Sequence, residues 1–312
     1  MKLYIYSLSL FFLLSCNKQS GENRIDEPAS SHIEEDANNA IQHHENQQVD
    51  ARISKEIQEY IDANGTYVKP KVSVYRHLIS NDNTYLNIET GVYNLTGYYI
   101  LNKNSNNEQF VHFDGFQKGK NINFRGFNPE NYYQPLYYFQ GHLDLTEGSL
   151  NGSWYITNDE TSEPDSIEFN PVHKVIYPKL KFQTYTAEYE HEIYVTKIKV
   201  MIDDETQILD GFIARPISNE LFLEDVNFDG YFDLRIRKDI TVKSDRKNIE
   251  IFWLYNPKTK QFEVCEYLNK MNVFFYKVDA IDKILEVNNR NKQTGYAQYY
   301  ELTFENGEFN LK

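Results

Sequence analysis

Glycine recurs beside ring-bearing residues through the first half of this chain: Gly97-Tyr98-Tyr99, Gly115-Phe116, Gly126-Phe127, Gly141-His142 and Gly152-Ser153-Trp154. Large rings suit a half-buried pleated surface, and a glycine inside a strand permits a bend or a close backbone approach. Around these pairs lie short strand candidates at Val92–Leu101, Phe110–Phe113, Ile122–Phe127, Tyr137–Leu145 and Leu150–Ile156, separated by polar turns. Regular spacing of this kind predicts an antiparallel β-meander curled into a barrel or sandwich. Composition agrees, because 25 Tyr and 20 Phe bring the aromatic share of 312 residues to 15%.

The same alternation continues after Pro171–Pro178, which reads as a join. Tyr194, Thr196, Ile198, Val200 and Ile202 share one face of a long strand, and Asp203-Asp204-Glu205-Thr206 turns the chain. Ile249, Ile251, Trp253 and Tyr255 share a face of another strand that stops at Asn256-Pro257. Asn306-Gly307 between Tyr296–Phe304 and Phe309–Leu311 is a two-residue hairpin signal. A helix is predicted over Arg52–Asp62, with Ile53, Ile57, Tyr60 and Ile61 on one face and Asn64-Gly65 as its stop. It is expected to cap the first sheet. The expected class is all-β: a meander domain with one short helix over 51–172, then a second β domain over 177–312.

One motif carries sharp chemistry. Asp225-Val226-Asn227-Phe228-Asp229-Gly230-Tyr231-Phe232-Asp233 puts side-chain oxygens at loop positions one, three, five and nine, with glycine at six. Ca²⁺ takes six to eight hard oxygen ligands, and this spacing lets Asp225, Asn227, Asp229 and Asp233 wrap one ion, with the Tyr231 carbonyl at position seven. The alternative is a polar turn in which Asx side chains hold backbone N–H groups. Position twelve is Ile236 instead of the bidentate Glu of an EF-hand, and Leu221, Leu223, Leu234 and Ile236 mark flanking strands. The loop resembles the calcium loop of FG-GAP-type, propeller-like β proteins. With Phe252-Trp253-Leu254-Tyr255 and the Phe262 hairpin, Lys179–Lys312 also resembles bacterial envelope proteins related to lysozyme inhibitors and effector-immunity proteins. That resemblance implies a propeller-like second domain, a structural Ca²⁺ and a protein-binding, inhibitory role.

The amino terminus bears on location. Lys2, the apolar run Leu8–Leu14 and Ser15 form a secretory-signal pattern over 1–15. It is too short for a membrane span, which takes about 20 apolar residues. Leu13-Leu14-Ser15-Cys16 looks like a bacterial lipobox, which implies lipidation at Cys16 and a membrane anchor. An envelope location, outer membrane in particular, follows as the expectation. Residues 16–50 contain almost nothing apolar and read as a disordered acidic tether. With Cys16 acylated, Cys265 is left without an intramolecular partner and reads as a buried thiol.

A formal net charge of −14 argues against nucleic acid, whose binding is driven by basic patches. It suits a basic partner such as a cationic peptidoglycan hydrolase. His191-Glu192 is followed at the zinc spacing by Val195, and no nucleophile turn or phosphate loop is present. Glu188, Glu190 and Glu192 read as alternating along one strand, and no pair of them as a glycosidase site. The role that the resemblance implies is non-catalytic: binding and inhibiting a peptidoglycan-degrading enzyme, which the acidic charge suits. The alternative is binding of a cell-surface glycan or protein, for which Tyr132-Tyr133 and Tyr137-Tyr138 are the places to look; Trp154 and Trp253 read as core packing in preference to sugar stacking.

Overall fold

The computed structural model describes residues 55–128, 131–156, 163–176, 179–216, 219–238, 250–271, 273–290 and 297–312, leaving aside the side chains at 128, 131–136, 156, 274, 275 and 290. The signal, Cys16 and the tether lie outside the described residues, as do the side chains of Tyr132 and Tyr133. Asp50–Lys312 forms one compact unit, and it is all-β with two short helices among the described residues.

Eight consecutive strands make a closed antiparallel barrel: β2 (Lys71–Ser80), β3 (Tyr85–Thr90), β4 (Asn94–Leu101), β5 (Gln109–Lys118), β6 (Asn121–Asn128), β7 (Asn131–Leu143), β8 (Leu150–Ile156) and β9 (Asp165–Pro171). Closure is made by β9 returning to β2, where Leu78, Ile79 and Ser80 pair with Pro171, Asn170 and Phe169. An eight-stranded barrel has an interior just wide enough for side chains to fill. Here Leu86, Ile88, Leu95, Val111, Ile122 and Leu150 fill it together with stacked rings. Phe113, Phe124 and Phe139 stack across three neighbouring strands at centroid separations of 4.3 and 4.8 Å. The recurrent glycines make room for these rings. A Cβ on Gly126 would stand 2.1 Å from the Tyr99 hydroxyl, and one on Gly141 would stand 2.5 Å from the Phe139 ring. The interior is apolar while Asn123, Arg125 and Gln140 lie on the outside, the reverse of a membrane-spanning barrel.

Strand β2 also carries the rest of the molecule. Its first residues, Lys71–Val74, pair in parallel with Glu220–Leu223 of β13 (Glu220–Glu224). The sheet then runs on through β14 (Asp233–Arg237), β15 (Glu250–Asn256) and β16 (Gln261–Val264). A four-stranded sheet holds β1 (Thr66–Val68), β10 (Leu180–Tyr189), β11 (Glu192–Ile202) and β12 (Glu205–Leu209) in that order. Another is a plain meander of β17 (Val273–Asp279), β18 (Ile284–Arg290), β19 (Ala297–Glu305) and β20 (Glu308–Leu311). Among the described residues this half is therefore all-β, built of four-stranded antiparallel sheets, and a propeller is not shown. One of its sheets extends the barrel wall, so a single sheet crosses the expected join at 172–177.

Local expectations fared unevenly. Asn306 and Gly307 both have positive φ, 55° and 87°, as a two-residue hairpin turn requires. Helix α1, residues 55–64 as described, ends where the Gly65 N–H reaches the Ile61 carbonyl at 2.7 Å. Its buried Ile57 and Ile61 pack against Tyr185, Ala187, Tyr189 and Tyr194 of β10 and β11, and not on the barrel. Glu190 and His191 form the β10–β11 turn with φ of 50° and 66°, so Glu188 and Glu192 belong to different strands. The second helix, α2 (Glu266–Met271), was not foreseen; Leu268 anchors it in the core beside Cys265. Burial pushes the Cys265 thiol up to about 11, which makes it unreactive.

Candidate functional site

The Asp225 loop joins β13 to β14, which pair antiparallel from Phe222–Arg235 to Glu224–Asp233. The flanking apolar residues form strands, as their alternation demands. Within the loop each oxygen side chain turns back on the chain. Asp225 accepts from the N–H groups of Asp229 (3.1 Å) and Gly230 (3.0 Å). Asn227 Oδ1 accepts from Asp229 N–H (3.2 Å), while Asp229 Oδ1 accepts from Tyr231 N–H (2.9 Å). Asp233 ties the loop's entry to the next strand, accepting from Val226 N–H (3.0 Å) and Tyr255 N–H (2.9 Å). Phe228 and Gly230 have positive φ, 61° and 85°; the turn at Gly230 suits the residue that meets no Cβ penalty there.

The electrostatics of the loop are unfavourable. Burial, and then the charges of Asp225 and Asp229, push the Asp233 carboxyl well above its usual range. Burial, and then Asp229, push Asp225 up to about 7. Partial desolvation raises Asp229 as well, though the residue still reaches solvent. Three carboxyl groups thus resist ionising in the same small volume. This donor set has the chemistry a hard divalent cation takes, since each carboxylate oxygen has lone pairs beyond the one N–H it accepts. The side chains do not close around a common point: among the described residues no three carboxylate, imidazole or thiol groups converge at metal-ligand distance. Val226, Asn227 and Phe232 are buried, and only Asp229 of the five expected ligand residues is exposed.

A second constellation lies on the outer wall of the barrel. Strand alternation splits the Tyr137-Tyr138 pair: Tyr137 turns inward beside Trp154, and Tyr138 turns outward. Tyr138 stacks on Tyr155 at 5.3 Å with the rings 15° apart. At the other end of a groove of about 620 Å³, Tyr93 stacks on Phe116 at 6.2 Å and 23°. Between the two stacks lie Asn123, Gln140 and the Asp114–Arg125 ion pair, whose Nε–Oδ1 distance is 2.8 Å. A polar extension of about 380 Å³ shares Asn123 and Gln140 and continues to His142 and Ser153. Trp253, by contrast, is a core residue, 2% exposed.

Sequence reasoning missed a buried polar cluster between the barrel and the later strands. His77 Nε2 lies 2.8 Å from Glu224 Oε1, and His77 Nδ1 lies 2.6 Å from the Tyr85 hydroxyl. The Tyr276 hydroxyl donates to the other Glu224 oxygen. Arg235 sits 4.0 Å over the Phe222 ring and pairs with Glu250 at 3.1 Å. No single segment signals this cluster, because the contacts that centre it on Glu224 span 52 and 147 residues.

Comparison with protein-family models, curated proteins and solved structures finds no match for the chain.

Proposed function

We propose that this chain is a non-catalytic envelope lipoprotein, anchored through Cys16, whose barrel wall binds a cell-surface glycan. The observation that carries this reading is the outer groove. Exposed ring faces at Tyr93, Phe116 and Tyr155 suit the C–H faces of sugar rings, and the two stacks stand at opposite ends of a row of amides and an ion pair. Planar amide, carboxylate and guanidinium groups match the paired hydroxyls of a sugar. Among the described residues these outward rings lie outside the packed core of the barrel.

In the same reading the Asp225 loop is a structural Ca²⁺ site. Asp225, Asn227, Asp229, Asp233 and the Tyr231 carbonyl would hold the ion, whose charge would offset the mutual repulsion of the three acids. Inhibition of a basic peptidoglycan hydrolase is the second reading, favoured by the net charge of −14. The loop adds little to it, because most of the loop is buried and offers an enzyme cleft almost no surface.

Retention of the full chain on insoluble peptidoglycan tests the first reading, with binding of soluble lysozyme measured in parallel. The expected outcome is saturable retention that Tyr138→Ala or Phe116→Ala weakens about 10-fold, some 1.4 kcal/mol. Neither variant should shift the melting temperature much, since both side chains face outward. Retention unchanged in both variants would remove the groove from the account. Lysozyme capture with loss of its activity would favour the second reading.

A further inference from the structure

The outer groove and its polar extension form one surface, because strand register sets their side chains in rows. Phe116 of β5, Asn123 of β6, Gln140 of β7 and Ser153 of β8 are successive partners across the sheet. Two residues along each strand, Asp114, Arg125, Tyr138 and Tyr155 are successive partners in the same way. Residues two apart in a strand share a face, so both rows stand on the outer wall. Asn123 and Gln140 line the groove and the extension alike, which makes the two cavities continuous.

The ring platforms at the two ends stand far apart. Tyr93 adjoins Asn94, the cross-strand partner of Phe116, and its stack on Phe116 marks the β4–β5 end. Tyr138 on Tyr155 marks the β7–β8 end. From Phe116 to Tyr155 the path crosses three strand spacings, about 14 Å in all, more than one sugar ring covers. Between the ends the lining is polar but nearly without charge. Asp, Glu, Lys and Arg make up 25% of the chain, yet among the described lining residues of both cavities only Asp114 and Arg125 are of these types. Those two hold each other through contacts of 2.8 and 3.4 Å. Among the described residues, the side chains of Asn123, Gln140 and Ser153 make no hydrogen bond within the chain, so their donors and acceptors are open to a ligand.

We propose that this wall binds an extended, uncharged glycan strand lying across β4 to β8, with several sugar units in contact at once. The inference rests on the groove being a glycan site and adds the charge class and the length of its ligand. A sugar unit stacks at each ring platform. The units between them meet the Asn123 and Gln140 amides, each of which offers both donors and an acceptor to hydroxyl or acetamido groups. A charged strand finds no free counter-charge here, since Asp114 and Arg125 already hold each other, and it gives up hydration on binding. Rigid-body freedom is lost once however many units bind, so each further unit in contact adds affinity until the rows are filled.

Isothermal titration calorimetry on the full chain provides the test. The probes are cello- and chito-oligosaccharides of two to six units, with a galacturonate hexamer as the anionic strand and a glucosamine hexamer as the cationic one. The expected result is an affinity that rises about 10-fold or more from the neutral dimer to the neutral hexamer. It should be indifferent to high salt and fall by about as much for either charged hexamer. Equal binding of the two neutral series assigns recognition to hydroxyls, and preference for the chito series assigns it to acetamido groups. Phe116→Ala and Tyr155→Ala, at opposite ends, should each bring the hexamer down toward the dimer, with a smaller effect on the dimer itself. Where circular dichroism shows a variant unfolded, the length series on the unaltered chain decides alone. Equal affinity for dimer and hexamer would overturn the proposal, as would a charged hexamer that binds as tightly as the neutral ones; either result leaves the groove a glycan site. Binding of no probe would overturn it too, and retention on insoluble peptidoglycan then tells whether glycan binding itself survives.

Discussion

At the residue scale the Asp225 loop has a pH signature that its burial dictates. The Asp225 carboxyl is pushed up to about 7 by burial and by Asp229, against an ordinary value of about 3.9. Its folded-state pKa is thus raised, so between about pH 4 and pH 7 the folded chain holds more protons than the unfolded one. Stability must therefore fall as pH rises through that window. Asp233, pushed up further by burial and the same neighbours, acts in the same direction. Asp279 acts oppositely: against the cost of burial, the Asp282 N–H and Lys103 hold its carboxyl below the usual range. Its contribution is lost only as pH falls below about 4, outside the window. In chelator, the melting temperature should drop from pH 5 to pH 8, and Asp225→Asn should flatten that drop. With Ca²⁺ at about 100 times its Kd, the site would add about 2.7 kcal/mol. Asp229→Asn should abolish the Ca²⁺ response. A melting temperature indifferent to Ca²⁺ at pH 8 would leave the loop as a hydrogen-bonded turn.

Among the elements, the end of β13 connects the most. Glu224, 4% exposed, receives His77 from β2 on one oxygen and Tyr276 from β17 on the other. Glu224→Ala would leave two buried polar groups without a partner, each costing about 1–3 kcal/mol. The expected loss is about 3 kcal/mol, read in a urea melt, with Glu224→Gln recovering a substantial part. Equal losses in both variants would show that charge, and not hydrogen bonding, is what the cluster needs. Nothing in the sequence around Glu224 announces this role, since local alternation reveals which face a residue takes but not which distant strand meets it. The barrel was legible for the opposite reason. Apart from the β2–β9 closure its pairings join neighbours in sequence, and Gly126 beneath Tyr99 or Gly141 beneath Phe139 marks the inward face within the strand itself. The Asp225 loop was legible as a strand–turn–strand because Leu223 and Leu234 alternate on either side. Its hydrogen bonds were not, because spacing alone fits both an ion-wrapping loop and a set of Asx turns. The helix over 55–64 was visible from its Ile57 and Ile61 face; its docking on β10 and β11 depends on a pairing more than a hundred residues away.

For the molecule as a whole, the shared strand β2 decides whether the barrel and the later sheets act as one body. Four residues of β2 pair with β13, and three further along pair with β9, so the strand that closes the barrel also begins the extension. Other ties cross the same boundary: Lys103 meets Asp279 at 3.1 Å, His173 Nε2 lies 2.6 Å from the Ala280 carbonyl, and Ser73 donates to Glu220 at 2.8 Å. Unfolding the barrel would strip β13 of its neighbour and expose the buried Glu224 cluster, so partial unfolding is costly from either side. The two tryptophans can report this separately, Trp154 from the barrel and Trp253 from the second core. In Trp154→Phe and Trp253→Phe, the remaining tryptophan's urea transition should coincide with the loss of circular dichroism, as one cooperative unit requires. If Trp154 reports one midpoint and the circular dichroism a second, later step, the barrel unfolds on its own. The two segments at 51–172 and 177–312 would then be independent domains that merely share an edge.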